Sequence, residues 1–330
     1  MEKTGEILKA VKITFFLNFL VSLLKIVVGL FTNLLSLISD GIHSLSDAFI
    51  NIVGFFSLKM AGRPPDETHP YGYEKYETIA VVIIGAFSAI MGFEVMKTGI
   101  ERLMMHAEVY RSTLLGLYIL GITVFINIIT VFYEGGMGRK LKSDFLIADS
   151  RETRLDILTS IVIFIGIILI RMGVHYVDGI LAIILSGIIF RNAYHIFKES
   201  AYILTDAAAI PPQEICKVVM KHPEVIFAHA VRSRGKEGAI YIQLHLGVDP
   251  NMTVKDAHDR VSHEVKQAIK EAFPGVRYVI THIEPATPEG IRRARKVFKE
   301  DKYHNDCGVK EGWERIICLL YTSPSPRDRG

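Results

Sequence analysis

Six stretches of about 20 mostly apolar residues follow one another through the first two thirds of the chain, at about 11–31, 34–58, 78–98, 114–133, 145–170 and 177–195. An α-helix rises 1.5 Å per residue, so each stretch is long enough to cross a hydrocarbon core of about 30 Å. Inside lipid every backbone N–H and C=O must find its partner within the protein, which restricts a spanning segment to a helix or a closed barrel. Six transmembrane helices are therefore expected. From about residue 206 the pattern changes to short alternating strands and amphipathic helices, as in a soluble domain. Four regions are predicted: a six-helix membrane domain over 1–205, a soluble domain over 206–290, a charged tail over 291–317 and a terminal stretch over 318–330.

Charge and cysteine content narrow the classes. The formal net charge of +3 is small, and no basic block is interleaved with aromatics, so a nucleic-acid partner is not expected. Lys3, Lys9, Lys12, Lys59, Arg63, Lys75, Arg139, Lys140, Lys142 and Lys198 flank the apolar stretches on one side, against Lys97, Arg102, Arg111 and Arg171 on the other. The positive-inside rule then places both termini and the soluble domain in the cytoplasm, most simply at the cell (inner) membrane. The first apolar run is too long for a cleavable signal and reads as the first span. Cys216, Cys307 and Cys318 have neither CxxC spacing nor a disulfide framework, which fits a reduced compartment. Residues 318–330 resemble the translation of a sequencing-library adapter and carry no expectation of fold.

Two strings share one spacing: Asp40-Gly-Ile-His43-Ser-Leu-Ser-Asp47 in the second stretch and Asp149-Ser-Arg-Glu152-Thr-Arg-Leu-Asp156 in the fifth. Steps of three and four residues return to one helix face, so each string makes an ionisable stripe. Such groups are costly inside a membrane, face a bundle interior and mark ion or proton paths. The second stretch enters from the outer side and the fifth from the inner side. His43 and Asp47 then lie about 14–20 Å deep from one end, and Glu152 and Asp156 about 10–17 Å from the other. One imidazole and three carboxylates at similar depth suit a divalent transition metal. Asp40 and Asp149 lie one turn before the pairs, where they can orient the ligands. Asn51 and Ser160 continue the stripes one turn on.

Ser36-Leu-Ile-Ser-Asp40-Gly-Ile-His43-Ser-Leu-Ser-Asp47, followed by Arg63-Pro-Pro-Asp66-Glu-Thr-His69-Pro-Tyr-Gly72, resembles the cation diffusion facilitator family, and the resemblance covers roughly residues 8–290. It implies a homodimeric, six-span exporter of Zn²⁺ or a related divalent cation (Mn²⁺, Fe²⁺, Co²⁺, Ni²⁺ or Cd²⁺), exchanged for protons. No cofactor is implied beyond the metal itself. The family's transport ligands map onto His43, Asp47, Glu152 and Asp156. Zinc exporters of the family carry a His where this chain has Glu152, and an oxygen ligand shifts preference toward Mn²⁺ or Fe²⁺. Loading needs a neutral imidazole and ionised carboxylates, so metal and protons compete, with His43 the favoured proton carrier. Asp66 and His69 match two ligands of a weaker second site, but Tyr73 stands at the third position, and a solvated loop is the other reading. Lys75 matches a cytoplasmic charge interlock between subunits, with Asp206 as candidate partner.

In the soluble part, alternation predicts a helix from Pro211, strands over 225–234 and 239–248, a helix over 253–273 and a strand over 276–283, in the order αββαβ. That order is similar to the family's metallochaperone-like domain. The resemblance implies cytoplasmic metal binding between protomers by His229, His245, His258, His282 and Glu284. His263 falls five residues after His258, about 140° around a regular helix, and reads as merely exposed. Two other functions compete with transport. A membrane metalloenzyme would need a nucleophile or phosphate clamp, and the chain shows no HExxH and no Gly-rich phosphate loop. A sensor that binds without transporting would have no need of four ionisable groups at mid-depth.

Overall fold

The computed structural model describes residues 2–32, 35–104, 114–171, 177–236, 238–289 and 307–310. They fall into two compact units that divide between Leu204 and Thr205.

The first unit consists of six long helices: α1 Glu2–Thr32, α2 Leu35–Ala61, α3 Lys75–Met104, α4 Leu114–Leu141, α5 Asp144–Arg171 and α6 Val177–Leu204. Within the described residues, segments of α1, α3, α4 and α6 are long and apolar enough to cross a membrane. The other two, α2 and α5, carry the ionisable stripes. Most helices outrun the apolar windows that announce them: α4 continues to Leu141 and α6 to Leu204. Their backbone bonds continue into polar sequence, where hydropathy no longer marks them.

Helix α1 packs on α2 and α4, α3 packs on α6, and α5 packs on α4, α6 and α3. An apolar cluster at one end of the bundle includes Val11, Ile50, Leu58, Ile84, Phe145, Leu146 and Ile196. The start of α5 is fixed from α3. Glu77 accepts hydrogen bonds from the Ser143 hydroxyl at 2.6 Å and the Phe145 amide at 3.3 Å. A carboxylate at a helix N-terminus satisfies donors that have no partner in the helix and complements its dipole.

Polarity in this unit is inverted relative to a protein in water. Phe16, Phe56, Phe125 and Phe132 are exposed, while Thr14, Asn18, Ser22, Lys25, Ser44, Asp47, Asn51, Asn127 and Glu134 are buried. A bundle whose outside is apolar and whose inside is polar is built for lipid around a hydrophilic interior.

The second unit is an α+β layer. Helix α7 Pro212–Val219 is followed by β1 Phe227–Lys236 and β2 Ala239–Val248, then a helical segment, β3 Val276–Pro285 and a short β4 Gly308–Val309. The sheet order is β3-β2-β1-β4, with β1 antiparallel to β2 and β4, and β2 parallel to β3. Alternation along β2 sends Ile240, Ile242, Leu244, Leu246 and Val248 into a core with Ile215 and Val219 of α7 and Val261, Val265 and Ile269 of the helical segment. Tyr241, Gln243 and His245 take the other face. The β1–β2 turn passes Gly235 at φ 108°, where a Cβ would overlap the Ala239 carbonyl.

Three expectations need correction. The helix expected over 253–273 is interrupted: α8 Val254–Asp256 leads into a π-helical turn, Ala257–Ser262, before α9 His263–Ala272. Within the stretch read as a charged tail, β4 pairs with Phe227 and Ala228 at the edge of β1. Cys216 and Cys307, expected to be unpaired, form a disulfide across 91 residues of sequence. Pairing of β4 with β1 delivers Cys307 to α7, a contact that sequence spacing does not reveal. Residues 291–306 and 318–330 lie outside the described residues.

Candidate functional site

In the membrane unit, Asp47 on α2 and Glu152 on α5 are both buried, and Asp156 is half-buried. His43 lies on α2, but its side chain, like that of Asp40, is outside the described residues. Asn192 of α6 donates to Glu152 Oε2 at 3.4 Å. One turn beyond Asp47, Asn51 is buried with neither amide atom bonded, and Ser160 is buried one turn beyond Asp156. The described residues of the two stripes thus turn inward. Among the described residues, no three His, Cys, Asp or Glu ligand atoms of this unit close to within 4.8 Å of one another.

The two helices touch at a defined place. Gly54 of α2 faces Phe145 of α5 so closely that a Cβ on Gly54 would overlap the ring. Phe145 is fully buried there.

Two buried ionisable side chains near the stripes were not singled out from the sequence. Lys25 of α1 is 1% exposed and donates to the Ser44 hydroxyl at 2.9 Å, one residue from His43 and three from Asp47. Glu134 of α4 is 0% exposed and accepts from the Thr153 hydroxyl of α5 at 3.0 Å. A lysine in the middle of an apolar run was the available signal for the first. Glu134 falls one residue past the apolar window, so hydropathy hid it.

The loop between α2 and α3 bonds to itself. Asp66 Oδ1 accepts from the Thr68 amide (3.0 Å), the Thr68 hydroxyl (2.8 Å) and the His69 amide (2.8 Å), and Oδ2 accepts from the Tyr73 hydroxyl at 2.6 Å. The Tyr73 bond, then the Thr68 hydroxyl and the His69 amide, holds the Asp66 carboxyl far below the ordinary carboxylate range, and the same bond raises Tyr73. His69 stacks on Tyr73 with centroids 4.0 Å apart. Tyr73 thus spends its hydroxyl on Asp66 Oδ2, while Oδ1 closes an Asx turn on the Thr68 amide.

The C-terminal unit holds a more complete donor set. His229 of β1 is the register partner of His245 of β2, which is the partner of His282 of β3, so three imidazoles form one row across three strands. Their ring centroids are 4.9 and 4.8 Å apart. Glu284, two residues after His282 and on the same face, bonds His229 Nε2 at 3.1 Å and His245 Nδ1 at 2.8 Å. His282 Nε2 is 3.9 Å from the same carboxylate. A register shift after His229, with Ala230 at φ 51°, marks a bulge; bulges re-aim side chains beside functional sites. Ligand atoms of His229, His245 and Glu284 lie within 4.8 Å of one another. Burial pushes His245 below the ordinary imidazole value, outweighing the bond to Glu284. Burial raises Glu284, but the bonds from His229 and His245 outweigh it and leave the carboxyl below its usual value. Both groups are therefore in the deprotonated, ligand-ready form near neutrality.

His258 does not join this row within the protomer. It belongs to a separate exposed group with Asp259 and His263. Asp206 has a partner inside its own unit, Arg234 at 3.0 Å.

Comparison with known proteins agrees with this architecture. The Cation efflux transmembrane domain matches residues 11–205, and the Cation efflux protein, cytoplasmic domain matches residues 211–286. An uncharacterized transporter of Methanocaldococcus jannaschii is 33% identical over 273 residues, covering 81% of this chain and 94% of that protein. The manganese efflux system protein MneS of Bacillus subtilis is 26% identical over 284 residues, covering 86% and 96%. The cation-efflux pump FieF of Yersinia enterocolitica is 28% identical over 266 residues, covering 80% and 87%. With both domains matched in order, over an inverted-polarity helix bundle and a sheet that gathers imidazoles, the chain belongs to the cation diffusion facilitator family of multi-pass membrane cation-efflux transporters.

Proposed function

We propose that the protein exports a divalent metal cation from the cytoplasm in exchange for protons, binding the cation with His43, Asp47, Glu152 and Asp156. The observation that carries this reading is the contact of Gly54 with Phe145. With all six helices crossing, α2 and α5 run antiparallel. Gly54 lies seven residues after Asp47, and Phe145 lies seven residues before Glu152. Seven residues are two helical turns, about 10 Å, so a step back along α2 and an equal step along α5 reach the same level and nearly the same face. Asp47 and Glu152 then flank one interior position, with Asp156 and His43 one turn away on their helices.

Three carboxylates and one imidazole form an oxygen-rich set, which favours Mn²⁺ or Fe²⁺ over Zn²⁺. The manganese efflux role in the name of one relative supports this order. Loading requires the imidazole to be neutral and the carboxylates ionised, so cation binding releases protons and cation release recaptures them. Rocking of the helices that carry the site between inward- and outward-open states completes the cycle. We place both termini in the cytoplasm, where most of the basic flanking residues fall. The protein acts as a homodimer, joined through the C-terminal unit and interlocked by Lys75 and Asp206. The His229, His245, His282 and Glu284 row supplies cytoplasmic metal binding, with Asp66 and His69 shaping the loop rather than holding a cation.

The test is reconstitution into liposomes with an entrapped pH-sensitive dye. Mn²⁺ transport should move protons in the opposite direction and depend on the pH gradient. Asp47→Ala should abolish both fluxes. Wild-type transport by that variant would remove the proposed site.

A further inference from the structure

The second donor group of the C-terminal unit lies away from the His229 row and owes its existence to an irregular helix. On a regular α-helix His258 and His263 would be splayed about 140° apart. The π-helical turn Ala257–Ser262 changes this. The His263 amide donates back to the His258 carbonyl, a five-residue closure that brings positions i and i+5 to one face. The two rings sit edge-on with centroids 4.9 Å apart. Asp259 Oδ1 is 3.0 Å from His258 Nδ1. One donor atom from each of the three residues lies within 4.8 Å of the others.

We propose that His258, Asp259 and His263 form a separate surface site for a divalent transition-metal cation. Two imidazoles and one carboxylate are a donor set that borderline cations such as Zn²⁺, Co²⁺, Ni²⁺ and Fe²⁺ accept, with the remaining positions filled by water. All three side chains are exposed, so water has access to those positions. The backbone beneath them is anchored. Ala257, Val261 and Ser262 are buried, and the Ser262 hydroxyl bonds that of Thr281 on β3 at 2.8 Å. The neighbouring cationic side chain, Arg260, is drawn aside by Glu224 at 2.8 Å. π-Turns interrupt an otherwise favourable hydrogen-bond ladder and occur frequently at functional sites. A bound cation would bridge the residues that the turn brings together, and so stabilise the helix that covers the sheet.

The site makes a use of His258 that differs from membership of the His229 row, and His263 separates the two. Co²⁺ bound per chain is measured by equilibrium dialysis of the full-length protein in detergent, with its visible absorption read alongside. The parent for this experiment carries His229→Ala, His245→Ala and Glu284→Ala. Adding His263→Ala to that parent should lower the count by one Co²⁺ per chain, and Asp259→Asn, a second exposed change, should weaken the same ion. An unchanged count and spectrum in both variants would overturn the site. So would loss of an ion with His258→Ala but not with His263→Ala, since His258 would then serve another cluster.

Discussion

Glu152 puts an oxygen at the position where zinc exporters of the family carry a nitrogen, and it does so buried and held by Asn192 at 3.4 Å. Nitrogen donors suit zinc, whereas carboxylates suit harder cations. Glu152→His should therefore shift selectivity toward Zn²⁺ over Mn²⁺ by about tenfold, the equivalent of about 1.4 kcal/mol, read from competitive uptake in proteoliposomes. An unchanged Mn²⁺ to Zn²⁺ ratio would show that this side chain does not touch the cation. In the C-terminal row the chemistry is exposed to pH. His245 and Glu284 both titrate below their ordinary values in the folded protein. The unfolded chain then binds more protons across both transitions, so metal-free stability is full above the unfolded values and declines as pH falls. Thermal melts of metal-free protein should show Tm falling from about pH 6.5 downward, less steeply in His245→Ala. The same slope in both would contradict the assignment. The stripes were legible residue by residue because each charge sits on a 3-and-4 spacing within apolar sequence. Lys25 and Glu134 were not, because neither has a spaced companion on its own helix; their partners, Ser44 and Thr153, come from neighbouring helices.

Among the elements, the contact of α2 with α5 matters most. Gly54 leaves room for the Phe145 ring, and Glu77 pins the residues that begin α5. Gly54→Leu places a branched side chain where that ring sits, an overpacking that costs about 1–3 kcal/mol. The thermal midpoint in detergent should fall and cation transport should be lost, while Gly187→Leu on α6, where a Cβ would meet nothing within 4 Å, should retain both. Equal behaviour of the two variants would mean that the helix contact does not set the register. Sequence periodicity located the six long helices and the αββαβ order, since amphipathic and alternating patterns are local. It could not locate the π-turn, because an inserted residue leaves the apolar positions Val261, Val265 and Ile269 on an ordinary i, i+4, i+8 row. Nor could it locate β4, two residues long, whose strand character comes from pairing with Phe227 and Ala228.

At the scale of the molecule, a bundle with its polar residues inside is joined in sequence to a sheet domain that gathers histidines. The sheet domain brings His229, His245 and Glu284 together, and both units match domains of a cation-efflux family. The central claim is that Asp47 on one helix and Glu152 and Asp156 on another share a single cation. Anomalous diffraction from Mn²⁺-soaked crystals of the full-length protein tests it most directly. One peak should lie between the two helices within about 2.0–2.3 Å of carboxylate oxygens from both stripes, the range of first-row metal–oxygen bonds, and Asp47→Ala should erase it. Separate peaks on the two stripes, or a peak that survives Asp47→Ala, would contradict the account.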